Sequence, residues 1–352
     1  MEIDYIWGPR TPGIFGISRY SYEIQMRMPG VVFNNITCPY LSRPYIGGVL
    51  KGVFLPVNGF RQSVNGRIKH IASQGYAFTA PYLRKGPVIL TCNDIIPWTY
   101  YKIRTPTWKA NIQAIRHIEH IIAISDYTKN ELIDQLEVPD DRIHVIPDGV
   151  DLQKFHPIPD PIRSSFLDPN NRIILYVGSE EKRKNIGVVL QALKDLIREI
   201  PDVKLVKAGG PGSGIFRDSC TYEVKRLGLE RHVIFTGTIS DTELLALYNS
   251  ADVFVFPSLI EGFGLPPLEA MACGCPVIAS DRTSIPEVVG DAGILIDPED
   301  PEAWCNAMYR VMEEPATNAE MRQRSLQRAA MFSWESCAKK TYELYCDIEN
   351  NQ

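Results

Sequence analysis

Five short apolar runs in the second half of this 352-residue chain, at 172–178, 203–209, 232–236, 253–257 and 276–280, end at or beside Gly, Pro or Ser. Runs this short and this apolar suit strands buried on both faces, as in a parallel sheet covered by helices. The stretches between them fit the covering helices. Residues 187–200 carry apolar side chains at helical spacing, 241–250 opens on an acid suited to capping, and 301–313 follows a turn rich in Asp and Pro. The alternation predicts an α/β fold with a Rossmann-like domain in this half. A single core stops growing near ~250 residues, so two domains are expected.

The first half is less regular. Strands are predicted at 1–7, 88–92 and 120–125, and helices at 18–28 and 107–119. Within 31–80 the one periodic signal is Phe60, Val64, Ile68 and Ile71 opposite Arg61, Arg67 and Lys69, the pattern of an amphipathic helix. Prolines and polar residues crowd 146–161, which cannot continue a helix or a central strand, so the hinge is placed at 155–161. This divides the chain into domains 1–157 and 158–335.

Charge is unevenly spread. Residues 1–116 hold fourteen Lys/Arg against four Asp/Glu, a balance of +10 inside a chain of net charge −5. That asymmetry implies an anionic partner on the N-terminal side, either a phosphate-bearing acceptor or an anionic lipid surface. Nucleic acid is disfavoured because no nucleic-acid motif accompanies the charge. The eight cysteines form no C-x-x-C pair and no histidines stand at ligand spacing, which fits buried, reduced thiols. No apolar run approaches the ~20 residues of a membrane span. The expectation is a soluble, cytoplasmic chain with at most a peripheral membrane contact.

Chemistry concentrates in the segment from Glu261 through Gly262, Phe263, Gly264 and Leu265 to Glu269. Glycines without a Cβ let backbone N–H groups approach a ligand, and Pro267 suits the first turn of a helix whose positive end favours an anion. Arg183 and Lys184 follow the predicted strand at 172–178, at the sheet edge where such folds bind ligands. No two aspartates stand two residues apart, so no Asp-x-Asp metal signature exists. Gly209–Gly214 has the look of a dinucleotide fingerprint, but its Pro211 breaks the turn, and an oxidoreductase is rejected.

The Glu261 and Glu269 pair in its E-G-F-G-L context, with Pro286-Glu287, Gly290 and Gly293 after it, resembles retaining glycosyltransferases of family 4. Residues 122–125, 128–132, 145–155 and 332–335 look like segments of the same family. The resemblance implies a GT-B fold, two Rossmann-like domains facing each other across a cleft, with a last helix, 336–352, returning to complete the first domain. It implies a nucleotide-sugar donor and an acceptor hydroxyl on a glycan or lipid, with mannose from GDP-mannose the first choice and a UDP-sugar the alternative. A non-catalytic nucleotide-sugar-binding protein is the reading from a different class.

By the same resemblance Glu269 binds the ribose, while Glu261 and the backbone of Gly262, Phe263, Gly264 and Leu265 hold the sugar. Arg183 and Lys184 bind the diphosphate, Gly16 of the first glycine loop approaches the diphosphate or the acceptor, and the turn containing Ile239 passes near the base. Ser179 stands where many relatives carry a further arginine, and Asn93 where they carry an active-site histidine. An amide cannot accept a proton near neutral pH, which leaves Asp94, the departing phosphate or another group for that task. No cofactor or metal is expected, since Arg183, Lys184 and the helix near Pro267 supply the leaving-group electrostatics.

Overall fold

The computed structural model describes residues 1–7, 17–37, 55–159, 168, 170–212 and 214–351, with backbone alone at 17 and 18. It divides into two units, Met1–Gly149 with Trp334–Gln352, and Val150–Ser333.

The first unit carries β1 (Glu2–Ile6), β2 (Val32–Ile36), β3 (Ile68–Ile71), β4 (Val88–Cys92), β5 (His120–Ala123) and β6 (Ile143–Val145), with helices α1 (Ile17–Met26), α2 (Pro106–Ile115) and α3 (Asp126–Leu136). All neighbours in its sheet, ordered β2-β1-β3-β4-β5-β6, run parallel. The last helix, Trp334–Asn350, belongs to this unit, and its Tyr345 hydroxyl bonds Nδ1 of the buried His70. Burial pushes the His70 pKa down to about 3, so the neutral ring bridges Tyr345 and Thr91, whose Oγ1 lies 2.7 Å from Nε2.

The helix expected through Phe60–Ile71 stops early. Residues 55–62 are helical, but Ile68–Ile71 is a wholly buried strand between β1 and β4. Ile68 and Ile71 share a spacing with a helix face, and a strand buried on both sides shows no alternation to correct that impression. Lys69, placed on the polar face by that reading, turns inward. Its ammonium donates to the carbonyls of Val64, Arg67 and Lys85 at 2.7, 2.6 and 2.8 Å.

The second unit carries β7 (Arg172–Val177), β8 (Val203–Ala208), β9 (Val233–Gly237), β10 (Val253–Phe256), β11 (Val277–Ser280) and β12 (Ile294–Ile296). Its longer helices are α4 (Ile186–Leu196), α5 (Gly214–Arg226), α6 (Asp241–Ser250), α7 (Leu265–Ala272), α8 (Pro301–Glu313) and α9 (Pro315–Ala329). The sheet is parallel throughout, in the order β12-β11-β10-β7-β8-β9. Ile174, Leu205, Val253 and Ile278 from the strands pack with Val189 and Leu193 of α4 and Trp304 and Met308 of α8 to form its core. Counted from β7, this is the doubly wound Rossmann order, which reverses direction between β7 and β10.

The division between units falls at 149/150 rather than 157/158, and at 333/334 rather than 335/336. The prolines that forbid a helix here do not detach the chain. Val150 N–H donates to Phe332 O at 3.1 Å, Phe155 meets Tyr248 edge to face at 6.0 Å, and Ile158 N–H donates to Asn249 Oδ1 at 2.7 Å. These ties hold 150–158 to the second unit. The seven described cysteines are all free thiols, five buried and two half-buried. Among the described residues no helix is long and apolar enough to cross a membrane.

Candidate active site

In a doubly wound sheet, ligands bind beyond the carboxyl ends of the strands where the order reverses. Here those strands are β7 and β10, and the loops that leave them bring three charged side chains together. After β7 the chain makes a tight turn over Lys182–Lys184, closed by Asn185 in the left-handed region at φ 51°. The Tyr176 hydroxyl donates to Ser179 O at 2.8 Å, and Leu259 N–H, from the loop after β10, donates to Arg183 O at 2.7 Å. The turn is therefore fixed from both sides.

Lys184 Nζ lies 2.6 Å from Glu261 Oε1 and Arg183 Nη1 3.2 Å from Oε2, with Arg183 Nε 3.1 Å from Glu181. The side chains of Lys184, Arg183 and Glu261 are 13%, 20% and 12% exposed, so the cluster is largely shielded yet reachable. Burial alone would raise the pKa of Glu261, but the Lys184 and Arg183 charges outweigh it and hold the carboxyl below its ordinary range. The result is a paired carboxylate between two cations at the mouth of the sheet.

Gly264 sits at φ 138°, open to glycine but strained for any other residue, and lets the chain pass directly from the loop into α7. The helix begins at Leu265, two residues before Pro267, because Pro266 and Pro267 fall in its first turn, where N–H groups have no partner to lose. Ser284 Oγ donates to the Glu261 and Phe263 carbonyls at 3.0 and 2.7 Å, and Thr283 Oγ1 accepts from Glu261 N–H at 3.2 Å. Phe263 is buried against Phe332. Glu269 projects from α7, 5% exposed, and accepts from the Tyr248 hydroxyl at 3.0 Å.

The glycine loop leaves β8 at 209–212 beside the β7 turn, with Gly209 at φ 108° and Gly212 at φ 78°. Ile239 is half-buried in the turn that follows β9. Under the glycine loop lies an ionic cluster that sequence reasoning missed, made of Glu180, Lys207 and Arg217. The signal for it was Lys207, one of two lysines inside the apolar run at 203–209, which read as interruptions. Among the described residues no group of three His, Cys, Asp or Glu side chains is arranged to hold a metal ion.

Asn93 and Asp94 lie in the first unit, at the carboxyl end of β4. Gln74 Oε1, from the turn after β3, accepts from Asn93 N–H at 3.2 Å and from its amide Nδ2 at 3.4 Å. Asp94 Oδ1 accepts from Ile96 N–H at 2.9 Å, at the start of the short helix Ile96–Thr99. Gln74 is a further polar group at this edge that sequence reasoning did not single out. Gly16 lies outside the described residues.

Comparison with known proteins finds relatives in sequence and in fold. The family described as Glycosyl transferases group 1 matches residues 159–328, and Glycosyltransferase Family 4 matches residues 58–154. The chain is 36% identical over 215 residues to a D-inositol 3-phosphate glycosyltransferase of Corynebacterium urealyticum, covering 58% of this chain and 51% of that protein. It is 34% identical over 230 residues to the O-antigen chain mannosyltransferase B of Escherichia coli, covering 64% and 60%. The matches thus span half to three fifths of those relatives' length. Sucrose-phosphate synthase from Thermosynechococcus elongatus superposes with a TM-score of 0.84 at 21% identity over 100% of both chains, a likeness of fold. With two parallel α/β units, the fold is GT-B, and the chain belongs to the group 1 glycosyltransferases.

Proposed function

We propose that the protein transfers a hexose from a nucleotide diphosphate sugar to an acceptor hydroxyl, with retention of anomeric configuration and without a metal. The observation that carries this reading is the cluster of Lys184, Arg183 and Glu261 at the point where the sheet order reverses. When the bond between the sugar C1 and the diphosphate oxygen breaks, its electron pair leaves with the phosphate. Lys184 and Arg183 neutralise that charge in a shielded site, where it counts for more than in water. The acceptor oxygen attacks C1 from the face the diphosphate leaves, and its proton passes to the departing phosphate oxygen.

Glu261 positions the sugar and stabilises positive charge developing at C1. Glu269, oriented by Tyr248, binds the ribose, and the turn containing Ile239 flanks the base. Asn93, held by Gln74, hydrogen-bonds an acceptor or sugar hydroxyl, and the Asp94 carboxylate beside it takes part in holding the same hydroxyl. Mannose from GDP-mannose is the favoured donor, supported by the 34% identity to a mannosyltransferase. A phosphate-bearing or lipid-linked acceptor suits the +10 balance of residues 1–116, which also favours peripheral contact with an anionic membrane.

The test is a thermal-shift screen of nucleoside diphosphates and nucleotide sugars, followed by turnover with and without a chelator. A ligand at 100 times its Kd stabilises by ~2.7 kcal/mol. GDP and GDP-mannose are expected to give the largest shifts, turnover to survive the chelator, and the product to keep the donor's anomeric form by NMR. A preference for UDP-sugars would replace the donor assignment, and binding without transfer to any acceptor would favour a nucleotide-sugar-binding protein. No shift with any nucleotide would overturn the whole reading.

A further inference from the structure

Glu180, Lys207 and Arg217 have no part in the roles assigned above, yet they form a second ionic cluster in the second unit, two of whose members are fully buried. The side chains of Lys207 and Glu180 are both fully buried, 2.8 Å apart. Arg217 of α5 closes the other side of the carboxylate with bonds of 2.7 and 2.6 Å, its guanidinium over the Phe235 ring. Burial opposes both charges, but the hydrogen bonds from Arg217 and Lys207 keep the Glu180 carboxyl below its ordinary range. An ammonium tolerates such burial when its three protons all find acceptors. The other two are carbonyls of the glycine loop, Gly209 O at 2.8 Å and Gly210 O at 3.0 Å.

That choice of acceptors sets the direction of the loop. A peptide unit is planar and trans, so a Gly209 carbonyl aimed at Lys207 turns the N–H of Gly210 the opposite way. Gly209 takes φ 108°, and a Cβ there would stand 3.0 Å from the Gly178 carbonyl oxygen. Glu180 N–H donates to Pro211 O at 3.3 Å, so the loop is laced to the same β7 segment that carries Arg183 and Lys184. We propose that Lys207 is a positioning residue for the nucleotide, whose ammonium holds the glycine loop so that Gly210 N–H donates to the diphosphate. The proposal rests on the nucleotide-sugar reading above.

The test compares the wild-type chain with Lys207→Met, which keeps the apolar stem and removes the ammonium. Kd for GDP and UDP is measured by calorimetry, and donor KM and kcat separately. Losing an aligned charge-assisted contact predicts a roughly tenfold rise in Kd and donor KM, with kcat at saturating donor within about twofold of wild type. A purely structural role would lower Tm and the active fraction while leaving the Kd of the folded protein unchanged, and that result overturns the proposal. If Glu180, left with Arg217 alone, prevents folding, Lys207→Met with Glu180→Gln removes both buried charges, and the same rise in Kd is expected. Wild-type protein that binds neither diphosphate sinks the nucleotide reading and this inference with it. Wild-type binding with an unaltered variant sinks the inference alone.

Discussion

Replacing Glu261 by glutamine removes one negative charge from between two cations and leaves the side chain's length unchanged. Lys184 Nζ already stands 2.6 Å from that carboxylate, so a phosphate oxygen meeting the same nitrogen comes to lie about 5 Å from it. At an effective dielectric of about 20 to 40, two like charges at that separation repel by roughly 1.5–3 kcal/mol. Part of that gain is lost because freed Lys184 and Arg183 side chains are less ordered, leaving a net near ~1.4 kcal/mol, or about tenfold in Kd. Glu261→Gln is therefore expected to bind GDP about tenfold more tightly while sugar transfer falls by at least a hundredfold. GDP-mannose should gain less, because its sugar loses the carboxylate that positions it. Calorimetry with GDP at pH 7.5, beside a turnover assay, separates these effects. Weaker GDP binding, or transfer at the wild-type rate, would refute the electrostatic reasoning. The same variant tests linkage. A carboxyl held below its ordinary pKa contributes stability above about pH 4.5, lost as pH falls through its folded value, so this acid-side loss should shrink in the glutamine variant.

Asp148 is buried, its Oδ1 accepts no hydrogen bond, and burial raises its pKa to about 7 against partial opposition from Arg19. Its charge therefore costs stability that appears as pH rises from about 4 to 7, and Asp148→Asn should be ~1–3 kcal/mol more stable at pH 8 in urea unfolding, with little difference at pH 4. Parallel stability curves for the two proteins would contradict this. Tyr248→Phe takes one donor from the buried Glu269 and is expected to cost ~1–2 kcal/mol, read as a lower Tm together with a raised donor KM. Gly264→Ala forces a side chain to φ 138°, a strain of ~1–3 kcal/mol; its Cβ meets Ile285 only at ordinary contact distance, so unaltered Tm would show that the loop relaxes.

The parallel strands of the second unit were legible because buried strands leave compact apolar runs, and β7, β8 and β10 lie within a residue of where those runs end. The Glu261 loop was legible because glycine and proline fix backbone geometry locally. The partners of Glu261 were not: Lys184 is 77 residues away, and only the reversal of strand order brings the two loops together. Lys207 and Lys69 escaped for a shared reason, since a lysine predicts a solvated surface and both instead bury their ammonium on carbonyls of adjoining turns. In the first unit the Asn93 contact depends on Gln74, in a stretch whose periodicity gave no guide.

The first unit is discontinuous in sequence, since its His70, Thr91 and Tyr345 chain is complete only when residues from Trp334 onward join Met1–Gly149. During synthesis the second unit, one unbroken stretch, is free to fold as soon as it leaves the ribosome, while the earlier-made unit waits for the helix that closes it. A stop codon at Trp334 would thus harm the part of the protein made first and spare the part made next. In native-state hydrogen exchange, the strands around His70 should lose protection in such a truncation while β7, β8 and β10 keep theirs.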